Sequence, residues 1–229
     1  MVTRRIKTIF TSSMMTVIVL VGLLFFTIPS RASLINFNIG PINSGASISY
    51  GGSGGSLTGS NISVYAVTGM GTSSNNNTAY NITGGVLSFT TGNFVGSGSN
   101  SWRFGSGTLI LSGTVNLGGS TISGNLFEGW LNNASVIDLG IYGFKVTIGA
   151  VSGSVLDELA ELYGLTTGLP YAGSLDLSFI ASGSPPGAFT GISVLGGNLA
   201  ATPVPAPSTM LLLASGLLGL VGLSRKFKK

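Results

Sequence analysis

Histidine and cysteine are both absent from this sequence, and that absence removes most of the chemistry open to a protein. Without them there is no Ser-His-Asp or Cys-His relay, no thiolate nucleophile, no disulfide framework and none of the usual zinc or copper ligand sets. Carboxylates remain. Glu128, Asp138 and Asp176 lie in apolar-alternating segments, whereas Asp157, Glu158 and Glu161 share one amphipathic run. Two acids facing each other across a sugar can cleave a glycoside, but no spacing here brings two together, and solvated strand positions explain them equally well. The alternating acids of a calcium loop are also missing. The expectation is a protein with no cofactor, no metal and no catalytic activity of its own.

Aromatic side chains are the second group with chemical potential. Trp102, Trp130, Tyr65, Tyr142 and Tyr171 have flat rings that could cover the apolar faces of sugars. Core or rim packing is the commoner role of such rings in β proteins, and it is the preferred reading. Asn61, Asn76, Asn81 and Asn133 open N-x-Ser/Thr triplets, which a chain this rich in Asn and Ser produces by chance, so no role is assigned to them.

Charge is distributed by position. Arg4, Arg5, Lys7 and Arg31 stand at the front, and Arg225, Lys226, Lys228 and Lys229 at the back. Between them only Arg103 and Lys145 oppose six acids, so the middle carries −4 although the whole chain is +4. The basic balance belongs to the ends and not to a basic face, so nucleic acid is not an expected partner.

The elements that must position these residues are strands. From Ser33 to Ala201 short apolar and β-branched runs alternate with Gly, Ser and Asn clusters, as in Asn61–Thr68, Gly85–Gly92, Thr108–Leu117, Ile122–Leu131 and Leu175–Ala181. Val86, Ser88 and Thr90 alternate with Leu87 and Phe89, the period-two mark of a sheet with one buried face. The strand pattern indicates an antiparallel sandwich or barrel, and the reading is an all-β exported domain over 33–201, named as an antiparallel β-sandwich or jelly-roll-like fold. Uneven Gly-Ser spacing argues against a strict solenoid. One helix is expected over "SVLDELAELYG", capped by Ser154 and stopped by Gly164. The segments Tyr50–Ser60 and Gly71–Asn81 read as long polar loops.

Residues 1–32 read as a signal peptide. Arg4, Arg5 and Lys7 form a positive n-region, Met14–Ile28 an apolar stretch, and Ser30-Arg31-Ala32 a small-residue site for signal peptidase, with cleavage between Ala32 and Ser33. Ile9–Ile28 approaches the roughly 20 residues of a membrane span, so an uncleaved anchor is the alternative. Either way the positive end stays inside and the middle is exported.

Residues 202–229 form a third region: a proline pair at Pro205 and Pro207, an apolar helix over 208–223, and a basic tail over 224–229. Gly216, Gly219 and Gly222 place small residues along one side of that helix. Arg225, Lys226, Lys228 and Lys229 then act as a stop-transfer cluster on the cytoplasmic side. Proline pair, short apolar helix and basic cluster, in this order, resemble the PEP-CTERM sorting signal of bacterial exported proteins. Val204, Pro205, Ala206, Pro207, Ser208 and Thr209 match its Val-Pro-Glu-Pro-Ser-Thr pattern except at Ala206, where the family has glutamate. The resemblance implies processing by an exosortase, a membrane protease or transpeptidase, with this chain as its substrate. It implies an inner-membrane-anchored precursor, then release to the cell surface or extracellular matrix, commonly beside exopolysaccharide. The alternative function is a carbohydrate-binding module acting on exopolysaccharide. A carboxylate-dependent glycan-active enzyme ranks behind it.

Overall fold

The computed structural model describes residues 33–40, 45–140, 143–191 and 193–204. The expected signal peptide and the apolar segment 208–223 lie outside them. Twelve strands follow in order: β1 (Leu34–Ile39), β2 (Ser47–Tyr50), β3 (Ser56–Met70), β4 (Ala79–Ser97), β5 (Ser101–Phe104) and β6 (Gly107–Asn116) come first. Then come β7 (Thr121–Asn132), β8 (Ala134–Gly140), β9 (Gly143–Val155), a six-residue helix α1 (Asp157–Leu162), β10 (Tyr171–Ile180), β11 (Phe189–Gly191) and β12 (Ser193–Pro203). Among the described residues no helix is long and apolar enough to cross a membrane.

Every strand ladder is antiparallel, as the short runs and frequent turns predict. The strands form one sheet, and it closes on itself: β3–β1–β12–β10–β9–β7–β6–β4 is a circuit completed by the β4–β3 pairing. Three long strands fork: β3 pairs with β2 over Leu57–Ser60 and with β1 over Val64–Met70. The first part of β4 pairs with β6, and its end, Phe94–Ser97, pairs with β5. The start of β9 pairs with β8 and its end, Ala150–Val155, with β7, while β5 and β8 join each other. The sandwich or jelly roll expected from strand count is thus one continuous twelve-stranded sheet, eight strands of which form the closed circuit. Closure is a direct answer to the edge problem, since unpaired strand edges recruit other strands. Among the described strands, only three-residue β11 has a neighbour on one side alone.

Alternation sends one side chain in two to the interior. In β1, Ile35, Phe37 and Ile39 are buried while Leu34, Asn36 and Asn38 are half-buried on the other face. One end of the interior is aromatic. Trp102 packs against Phe189 at 4.9 Å and Phe144 at 5.4 Å, and Phe144 continues to Phe179 at 5.5 Å. Tyr50, Phe104 and Phe94 adjoin them. The other end is closed by α1, which buries Leu159 and Ala160.

Two segments expected as loops have structure. Ser56–Ser60 is already strand β3, because in a closed sheet Gly59 gives the Phe89 ring room that a Cβ would take, at 2.2 Å. The Asn-rich stretch after β3 caps α1 from outside: the Asn75 amide donates to the Leu162 carbonyl at 2.7 Å, and the Ser73 hydroxyl to the Gly164 carbonyl at 2.8 Å. The first of these satisfies a carbonyl that the helix end leaves open, and the second holds the turn just beyond it. The expected N-cap is corrected. β9 runs through Val155, so Ser154 belongs to the strand, and Leu156 occupies the N-cap without a side-chain bond. Gly164, at φ +67, terminates the helix as its position suggested.

Candidate functional site

The aromatic candidates divide by strand parity. Trp102 on β5 is fully buried, and its Nε1 donates to the Gly187 carbonyl at 2.9 Å. Tyr171 is buried as well. Both are core residues, as the preferred reading held. Trp130 on β7 is 65 % exposed and Tyr65 on β3 is 51 % exposed. Tyr142 lies outside the described residues. The flanking residues explain the split at β7: Gly129 and Leu131 point inward, so Trp130 must point out.

The three strand carboxylates do not meet. Glu128 stands exposed on the outer face of β7, where the Asn125 amide donates to it. Asp176 on β10 accepts from the Thr147 hydroxyl at 3.0 Å and lies 3.4 Å from the Lys145 ammonium. Asp138 accepts a bond from the Gly140 backbone N–H at 2.8 Å. Glu128 is opposite Ser154 and Asp176 opposite Thr147 on the same strand β9. Seven residues of extended chain separate those positions, roughly 23 Å, against the roughly 5–9.5 Å between the paired carboxyls of glycosidases. No group of three or more metal-ligating side chains occurs among the described residues.

The ends of the sheet are close together. β1 and β12 are antiparallel neighbours with Ile35 opposite Ala201, so Ser33 and Pro203 leave the fold side by side. The Ser33 hydroxyl donates to the Gly71 carbonyl at 2.8 Å. β12 continues past Ala201: Pro203 is still in register with Tyr171, and the Val204 N–H donates to the Pro170 carbonyl at 2.9 Å. Of the expected site residues, Ser33 and Val204 are therefore tied to the folded sheet. Ala32, Pro205, Ala206, Pro207, Ser208, Thr209, Arg225, Lys226, Lys228 and Lys229 lie outside the described residues. The overlap between strand and tail was not legible in the sequence. "AATPVP" reads as a boundary because proline cannot donate to a ladder, yet Pro203 stays in register with Tyr171 and Val204 supplies the next backbone bond.

No curated protein and no solved structure matches the chain. Residues 203–226 match the family profile of the PEP-CTERM protein-sorting motif, so the chain carries this sorting motif, and the motif begins on the last paired residue of β12.

Proposed function

We propose that this chain is an exported protein that an exosortase sorts, with the closed β domain as the cargo and the segment from Pro203 onward as the address. The observation that carries the reading is the match to the sorting motif over 203–226. Supporting it, the domain hands over to that segment with no linker, and its two ends leave on neighbouring strands. That arrangement suits a precursor held in the inner membrane through its tail, with export led by a signal peptide cleaved between Ala32 and Ser33. Signal peptidase, the export machinery and exosortase are its processing partners, and the cell surface or extracellular matrix its destination. The closed sheet and the polar outer residues fit a protein that must stay folded outside the cell.

Mass spectrometry of the intact protein from membrane and extracellular fractions tests this, in cells with and without the exosortase. The expected mature species begins at Ser33 and ends near Pro207 only when the enzyme is present. The same C-terminus in both strains would remove exosortase from the account. Ala206 supplies a finer test. A carboxylate restored by Ala206→Glu should accelerate loss of the tail, and unchanged kinetics would show that this side chain is not read.

A further inference from the structure

One row of outward side chains crosses six strands of the sheet. Strand by strand the register pairs Ser49 with Thr58, Thr58 with Thr90, Thr90 with Thr108, Thr108 with Trp130, and Trp130 with Ser152. Five residues of the row carry hydroxyls and the sixth is the exposed tryptophan. At the ordinary strand spacing of about 4.8 Å the row extends roughly 24 Å over the curved surface. Beside it a shallow groove of about 300 Å³ opens over β3, β4 and β6, with Thr58, Thr90 and Thr108 on its walls and Ile110 at one side. Ile110 is 47 % exposed and sits diagonally from Trp130.

From this arrangement we infer a binding strip for a neutral polysaccharide, with one sugar stacked on the Trp130 ring and the following sugars in the groove. The indole offers an apolar plane to the C–H face of a pyranose. Its lateral neighbours on both sides, Thr108 and Ser152, are hydroxyls that can donate to and accept from ring hydroxyls. A protein hot spot sits in a well-packed, desolvated pocket, whereas Trp130 stands 65 % exposed on a sheet face between two hydroxyls. The glycan is neutral because the row holds no charge and the nearest charged neighbour on β7 is Glu128. Neither Arg103 nor Lys145, the two cations between residues 33 and 204, lies in it. This site is independent of how the tail is processed, and it narrows the aromatic candidates: Trp102 and Tyr171 are excluded by burial.

The test uses the full chain in a non-glycosidic detergent with four probes: dextran, laminarin, hydroxyethyl cellulose and alginate. Trp130 reports directly, since its emission should shift blue and resist acrylamide when a sugar covers the ring. The expected result is retardation in affinity electrophoresis by at least one neutral glycan, weakened roughly tenfold or more by Trp130→Ala. Trp130→Tyr should keep part of the binding, and both variants should melt as the parent does. The paired variant Thr90→Val/Thr108→Val should also weaken binding with the Trp130 ring in place. Binding of alginate alone, binding by no neutral glycan, or Trp130→Ala binding as tightly as the parent overturns the proposal. So would Trp130-dependent self-association that competes with every glycan, because the face would then belong to a second copy.

Discussion

Removing the Trp102 side chain should cost far more than removing Trp130, although composition makes the two equivalent. Trp102 is fully buried between Phe144 and Phe189, and its Nε1 bond to the Gly187 carbonyl fastens the segment before β11 to β5. Replacing a buried Trp by Ala costs about 3–5 kcal/mol, through lost transfer energy and the cavity left behind. For a domain of this size, at about 2–4 °C per kcal/mol, the melting temperature should drop by roughly 6–20 °C. Trp102→Phe should fall between parent and Ala: a ring remains, but the Gly187 carbonyl loses its donor, at about 1–3 kcal/mol if no water replaces it. Trp130→Ala should stay within about 0.5 kcal/mol, as surface changes do. Calorimetry on the three variants measures the difference, and fluorescence assigns it, because the parent without Trp130 should keep only blue, quencher-resistant emission. Equal melting losses, or a red emission that survives Trp130→Ala, would refute the inward register of β5 and the outward register of Trp130 on β7.

Gly69→Ala should destabilise the helix end of the fold by about 1–3 kcal/mol, because the new Cβ would fall 2.2 Å from the Tyr163 ring. Hydrogen exchange should then accelerate in α1 before the sheet, and uniform acceleration would contradict this. Burial pushes the Tyr163 phenol above its ordinary value, and the neighbouring Tyr80 adds to the rise. Tyr171 is raised the same way, with help from Asp157. A pKa raised by folding means that its stability is fully present below the ordinary tyrosine value of about 10 and is lost as pH climbs beyond it. Alkaline titration should therefore show phenols that ionise only as near-UV circular dichroism collapses, with the fall flattened by Tyr163→Phe. Complete ionisation with the signal intact would oppose the burial argument. Inserting a Gly-Ser spacer after Val204 should hasten tail removal, since Pro203 and Val204 are held by Tyr171 and Pro170. Identical cleavage rates would show that fraying of β12 does not limit access.

Several features were legible from residue types and local pattern. Loss of every His and Cys closes off whole classes of chemistry before any fold is known. The alternation around Val86–Thr90 announces a sheet with one buried face, and the order of proline pair, apolar run and basic cluster identifies the sorting segment. These survive translation to structure because period two is a property of extended backbone and because a sorting signal is read as linear chain.

Other features depend on pairings between residues far apart in the chain. Parity alone does not say which of two alternating sets faces inward, and a one-residue slip would exchange them. Whether Trp102 or Trp130 is core was settled by their neighbours on β4, β6, β8 and β9. The glycine-rich run before Asn61 reads as loop because glycine costs entropy in a strand. It becomes strand here because Gly59 leaves space for a ring brought from thirty residues further along. The hydroxyl row from Ser49 to Ser152 exists only across strands, so no window of sequence contains it. Closure of the sheet, which removes nearly every free edge, needs the β1–β12 pairing, a long-range register that sets Ile35 opposite Ala201 and that no local window of sequence contains.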